Sequence, residues 1–369
     1  MRYHQNENVD RQFNDGHHRA SFTVYILSFS GAALISYSCL REEDFDCQRT
    51  ANELVDGIRK QIRWLSFGAE PNLFVRYHPL RPFIHWYYGS KVNSIVSRSL
   101  DDSFETFKKK EDASSRSIVN LAFNAFISGK TEGDLVANTR HRTEEMEPFF
   151  KKICLPQIKL FLFSGHDTTS SSICYTLYLL SKHPAALKAV QQELDTVFSA
   201  DPTQISRQIS ENPHLLNNLP YITAVIKESL RLFPTVSSTR DGEPNFSVTD
   251  AQGRNFPTEN FLVWVNPHAV QHSTDLWDAP EEFIPERWLG ERRKEIKRGA
   301  WRSFEHGPRN CIGQELAMIE SKIVLCLVVR DFVVRDDYKT GGKDIHGEKA
   351  YQVQLSQPAR DLPCRIERV

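Results

Sequence analysis

Apolar residues recur at helical spacing along most of the chain. Leu54, Val55, Ile58, Ile62 and Leu65 predict an amphipathic helix over 52–64. A loop rich in aromatics follows over 71–82, and 85–110 returns to helix with a charged end at Lys108, Lys109 and Lys110. A polar linker over 112–117 precedes a helix over 118–128, and 131–147 is charged and polar, the pattern of an exposed segment. From 149 to 182 the chain is mostly apolar, with Pro156 its one proline. If continuous, that stretch makes about 45 Å of helix. His183 followed by Pro184 ends it. An amphipathic helix over 185–198, a polar loop with one helical turn over 201–219, and a helix over 221–233 stopped by Pro234 come next. Strand signals gather only between 246 and 265: Phe246 to Thr249, a turn at Asp250 to Gly253, then Phe261 to Val265. A last helix-like run covers Gln314 to Val329. The pattern predicts a mainly α protein with a small sheet.

Composition bounds the function classes. At 369 residues the chain makes one large domain or two ordinary ones. A net charge of −1 with both signs mixed points away from nucleic acid and polyanionic partners. The seven cysteines are scattered without CxxC pairs, which excludes the usual structural zinc spacing and does not suggest a disulfide framework. Reducing, intracellular surroundings fit. The first twenty residues are polar and carry no signal-peptide pattern. Ser21 to Leu40 holds no charge and is long enough to span a membrane. Five serines make it weakly apolar, so it reads as a buried helix more than as a membrane span.

Candidate chemistry concentrates in Phe304-Glu-His-Gly-Pro-Arg-Asn-Cys-Ile-Gly313. Gly307 and Pro308 force a tight loop, and Cys311 is expected at the start of the following helix, buried. Unpartnered N–H groups and the positive end of the helix dipole favour an anionic sulfur there, as a metal ligand requires. Taken singly, Cys311 reads better as a buried core thiol; the whole pattern F-x-x-G-x-R-x-C-x-G is far more specific. It resembles the haem-binding loop of the cytochrome P-450 superfamily, in which the cysteine thiolate is the axial ligand of haem iron. The resemblance implies Cys311 as the metal ligand and Phe304 against the cofactor. It also implies Arg309, and with it Arg240, as partners of the haem propionates.

Three further stretches fit the same resemblance. Ser164-Gly-His-Asp-Thr-Thr-Ser170 places a run of small and polar residues in an apolar helix, which is costly for the helix. Alone it could be a polar patch; beside the cysteine loop it resembles the family's oxygen-binding groove, with Ser164 where alanine or glycine is common. Gly165 would let the helix open locally, and Asp167 and Thr168 would relay protons to bound oxygen. Glu228 and Arg231 stand at i,i+3 and can pair on one helix face. They resemble the E-x-x-R helix, whose second arginine would be Arg287 of Pro285-Glu-Arg-Trp288, a structural network holding the cysteine loop. The cations Arg292, Arg293, Lys294, Lys297 and Arg298 precede that loop. They read either as a solvated face or as the docking patch for an acidic flavoprotein reductase.

The resemblance covers 46–369 and implies the cytochrome P-450 fold: a long oxygen-binding helix, a Cys-ligand loop and small β-sheets, truncated at the N-terminus. Residues 1–45 form a divergent segment in which Ser21 to Leu40 is the one candidate for membrane association. The wording of Pro285 to Trp288, Glu305 to Pro308 and Gln314 to Ala317 looks like fungal microsomal members, several of them in secondary metabolism. The implied activity is a haem-thiolate monooxygenase at the endoplasmic reticulum. It would use haem b (iron protoporphyrin IX), electrons from NADPH through a reductase, and an apolar small-molecule substrate. Segments 72–86, 161–168 and 234–238 are the expected substrate contacts, with Phe163 and Val236 as apolar lining. A haem-thiolate isomerase would not need Asp167 and Thr168. A catalytically defective haem-binding remnant is the remaining alternative.

Overall fold

The computed structural model describes residues 20–21, 53–63, 77–108, 118–127, 148–199, 201–336, 351–352, 357–358 and 363–368. Residues 22–40 of the uncharged run, the linker 112–117 and the charged stretch 131–147 lie outside them. The chain divides into two compact units, Tyr25–Ser170 and a second unit of Met1–Val24 with Ser171–Val369. Among the described residues no helix is long and apolar enough to cross a membrane.

The described residues of the first unit are mainly helical. The unit contains α1 (Glu53–Arg63), α2 (Arg81–Lys108), α3 (Ile118–Ile127) and the N-terminal part of α4 (Pro148–Lys182). Gly57 lets α1 approach α2 closely, since a Cβ there would sit 3.0 Å from Val92 Cγ2. Val92, Val96, Leu100 and Phe104 form the buried stripe of α2. Phe104 meets Phe123 of α3 edge-on at 5.1 Å, and Phe123 meets Phe150 of α4 at 6.0 Å. Lys151 Nζ donates to both oxygens of Asp101, at 2.7 and 2.5 Å, tying α4 to α2. Helix α4 runs unbroken through Pro156 and Gly165.

In the second unit, α4 buries every residue from Ser171 to Leu180, and Tyr175 stacks on Phe233 at 4.3 Å. Around it lie α5 (Pro184–Val197), α6 (Ile205–Glu211), α7 (Pro220–Leu232), α8 (Pro267–Gln271) and α9 (Gln314–Val328). The stretch over 201–219 is more ordered than its polarity suggests. Short 3-10 turns at Pro202–Gln204 and Pro213–Asn218 flank α6, whose Ile205 and Ile209 are buried. Helix α7 has no side-chain cap of its own. Glu193 of α5 supplies one, its carboxylate accepting from Tyr221 N at 2.7 Å and Ile222 N at 2.8 Å, where the helix dipole favours negative charge.

Strands are not confined to 246–265. Ser247–Thr249 pairs with Asn255–Pro257, while Leu262–Val265 pairs antiparallel with Ser238–Asp241, placing Arg240 opposite Val263. Phe332–Asp336 pairs antiparallel with Pro363–Arg368. The pairings missed from sequence join short segments far apart in the chain, where local alternation is too brief to register.

Candidate functional site

The cysteine loop is built from its backbone. Cys311 N donates to Phe304 O at 2.9 Å and Asn310 N to Gly307 O at 3.1 Å. Glu305 and Gly307 both take the left-handed conformation, with φ of 59° and 81°. Glycine adopts it without penalty, whereas Glu305 must be held there. Its carboxylate accepts from Arg302 Nη2 at 2.5 Å and from Ser238 Oγ at 3.0 Å, so the loop is fastened to the strand that carries Arg240. Helix α9 starts at Gln314 with Gly313 as its cap, so Cys311 precedes the helix instead of lying in its first turn. It is exposed, not buried, and its own N–H is engaged by Phe304. Ile312 beside it is 88% exposed.

Beneath the loop lies a saturated ionic network. Glu228 is fully buried and accepts from Arg231 Nε and Nη2, each at 2.9 Å. It also accepts from Arg287 Nε at 3.2 Å, Ile284 N at 3.1 Å and Trp288 Nε1 at 3.0 Å. Arg231 spends its remaining N–H groups on the carbonyls of Gln271, Pro280 and Glu282, at 2.9, 2.6 and 2.9 Å. Every guanidinium donor of Arg231 is used, which is what makes its buried charge tolerable.

Aromatic packing connects this network to the loop. Trp288 meets Trp301 at 5.5 Å, and Trp301 meets Phe304 edge-on at 5.7 Å. Lys227 Nζ lies over both indoles, at 5.6 and 5.7 Å. Burial first, then the positive charges of Arg293 and Lys322, hold its ammonium below the usual lysine range.

The other sequence-derived residues are placed separately. Arg309 is exposed; so is Arg240, whose Nη1 donates to Thr239 O at 2.8 Å. In the first unit, Thr168 Oγ1 donates to Ser164 O at 2.6 Å, one turn back along α4. The side chains of Phe163 and Asp167 lie outside the described residues. Arg292, Arg293, Lys294, Lys297 and Arg298 are all exposed; Lys294 pairs with Glu291 at 2.8 Å and Lys297 Nζ reaches Asp275 O at 2.5 Å.

The sequence pattern of the cytochrome P450 family matches residues 7–362. The chain is 36% identical over 341 residues to the cytochrome P450 monooxygenase polC of Polytolypa hystricis, a match covering 89% of this chain and 60% of that protein. The chain belongs to the cytochrome P450 family. It is also 30% identical over 357 residues to the cytochrome P450 monooxygenase acrF of Aspergillus aculeatus, covering 88% of this chain and 68% of that one. Among solved structures it resembles the haem domain of cytochrome P450DA, with a TM-score of 0.73, 19% identity, and coverage of 98% of this chain and 70% of that one. That likeness places the fold.

The donor set fits the family's haem. Among the described residues no group of three His, Cys, Asp or Glu could hold a metal ion. Cys311 is the one exposed thiol among them, and one thiolate suits a metal that arrives with most of its ligands, as haem iron does. Burial pushes the thiols of Cys154 and Cys326 up to about 11 and about 12, and Cys174 is wholly buried. The thiolate is the ligand form, so these three are poor candidates. Sequence reasoning missed Gln271, Trp288 and Ser303, which complete the anchoring, and Glu305 with Ser238. No local signal marks Gln271, which stands between Val270 and His272; its burial is set by the tertiary structure.

Proposed function

We propose that this chain carries the haem-thiolate centre of a monooxygenase that inserts one atom of dioxygen into an apolar organic substrate and reduces the other to water. One observation carries the proposal: Cys311 stands exposed on a loop whose base is bonded into the buried Glu228–Arg231–Arg287 network. The family match and the fungal monooxygenases similar to it support the same reading. The chain spans 60% of the length of the polC relative, so the activity belongs to the protein as a whole.

Haem b, when bound, supplies the redox-active iron that binds and activates dioxygen. Cys311 would hold the iron through its thiolate, and Phe304 would pack against the macrocycle. Arg309 and Arg240 would neutralise the propionates through charge-assisted hydrogen bonds. Gly165 offers the smallest side along α4. Asp167 and Thr168 would move protons towards oxygen. The Thr168 hydroxyl hydrogen is engaged by Ser164 O, so its oxygen is left to accept from a water and orient it. Electrons would come from NADPH through a reductase steered to Arg292, Arg293, Lys294, Lys297 and Arg298. Association with the endoplasmic reticulum membrane accords with that partner.

The test is the absorption spectrum of the purified, reduced protein under carbon monoxide. A strongly red-shifted Soret band is expected for thiolate ligation. A band at the position of neutral-ligand haem would overturn the reading.

A further inference from the structure

Gln271, the last residue of α8, is 0% exposed and uses every hydrogen-bonding position of its amide. Nε2 donates to Leu230 O at 3.1 Å and to Arg231 O at 3.0 Å. Those carbonyls belong to the last turn of α7, where the helix offers no partner. Oε1 accepts from Arg302 N at 2.7 Å, and Ser303 Oγ lies 3.1 Å away, sharing its proton with Leu230 O at 3.0 Å. The main-chain oxygen of Gln271 accepts from Arg231 Nη1. The amide thus joins the end of the helix bearing Glu228 and Arg231 to residues 302 and 303. The next residue, Phe304, supplies the carbonyl that receives Cys311 N.

We propose that Gln271 is the positioning residue for Cys311, fixing the base of the cysteine loop on the end of α7 and so setting where the thiol stands. No other side chain of similar size supplies both halves of this link. Glutamate keeps the acceptor but turns a charged oxygen towards two carbonyls. Leucine fills the space and leaves the carbonyls and Arg302 N–H without partners, which is costly in a buried site. Asparagine is one methylene short. Glu228 and Arg231 hold the helix; Gln271 conveys its position to the loop.

The test has two arms, of which only the second rests on the haem-thiolate reading. Gln271→Leu and Gln271→Glu are compared with wild type and with Gln191→Leu. This control also removes a glutamine bond to a helix-end carbonyl, that of Val329 at the far end of α9. In the haem-free chain, hydrogen exchange at the Cys311 amide should quicken about tenfold or more in both Gln271 variants and stay unchanged in the control. With haem added, the red-shifted carbon monoxide band should lose intensity to the neutral-ligand band in both Gln271 variants, at equal folded fraction. Unchanged exchange and an unchanged band in folded Gln271 variants overturn the proposal, as does an equal response in Gln191→Leu. Should both variants fail to fold, Ser303→Ala removes one strand of the same link and is read the same way. A wild type without the red-shifted band defeats the haem-thiolate reading, and the exchange arm still decides the role of Gln271.

Discussion

Arg231 and Gln271 bond to one another in both directions. Arg231 Nη1 donates to the main-chain oxygen of Gln271 at 2.9 Å, and Gln271 Nε2 donates to the main-chain oxygen of Arg231 at 3.0 Å. Each side chain satisfies the other residue's backbone, so neither the end of α7 nor that of α8 can shift alone. The pair is wholly buried, which makes each lost bond expensive.

Arg231→Lys should therefore be far from conservative. Lysine keeps the charge but offers fewer donors from a point, leaving carbonyls among Gln271, Pro280 and Glu282 unsatisfied. The expected cost is about 3 kcal/mol or more. Trp288→Phe keeps an aromatic ring in the cluster, loses the indole donor to Glu228 and part of the ring packing, and should cost about 2 kcal/mol. Denaturant unfolding of both variants checks the order, and equal costs would contradict it.

Cys311→Ala should abolish the red-shifted carbon monoxide band while changing stability by about 0.5 kcal/mol or less, because the side chain is exposed. Cys326→Ala should keep the band, since burial holds that thiol protonated up to about 12. Absorbance spectra and thermal melts of the two variants make the comparison; a surviving thiolate band in Cys311→Ala rules out the assignment.

Thr168→Ala should leave the helix intact, because alanine is the better helix former and only a side-chain bond to Ser164 O is lost. Electron uptake should continue while a larger share of NADPH oxidation ends as hydrogen peroxide. Thr168→Ser, which keeps a hydroxyl, should recover most of the coupling. Peroxide and product are assayed against NADPH consumed, and unchanged coupling in Thr168→Ala places the proton path elsewhere.

Acid should weaken the fold through His272. Burial first, then the charge of His268, pushes its imidazole down to about 4 from 6.5, against the raising influence of the His268 carbonyl and Glu281. The rings stack at 4.0 Å. Between those two pH values the unfolded chain binds the proton and the folded chain does not, so stability falls as pH drops from about 6.5 towards about 4. The melting temperature should decline by several degrees over that window, on the order expected for a chain of this size. His272→Gln should show a flatter profile, and a slope equal to wild type would assign the effect to other groups.

The sequence determined most of the helices and the chemistry of the loop. Leu54 and Ile58 carry the 3.6-residue period of α1, and Pro184 and Pro234 mark helix boundaries by steric exclusion. Spacing alone brings Glu228 to Arg231, because residues three apart on a helix are neighbours. Gly307 and Pro308 require a tight turn before Cys311 whatever surrounds them. Other features were decided only by the tertiary structure. Phe332–Asp336 and Pro363–Arg368 become strands through each other, across a separation that leaves no local period to read. Glu305 takes a backbone conformation its own type disfavours, because Arg302 and Ser238 hold its carboxylate. Gln271, polar and flanked by Val270 and His272, acquires its meaning from two helix-end carbonyls and two loop donors contributed by other segments. Local propensity acts through a few neighbouring residues, whereas the satisfaction of a buried polar group depends on which distant segments the fold brings to it.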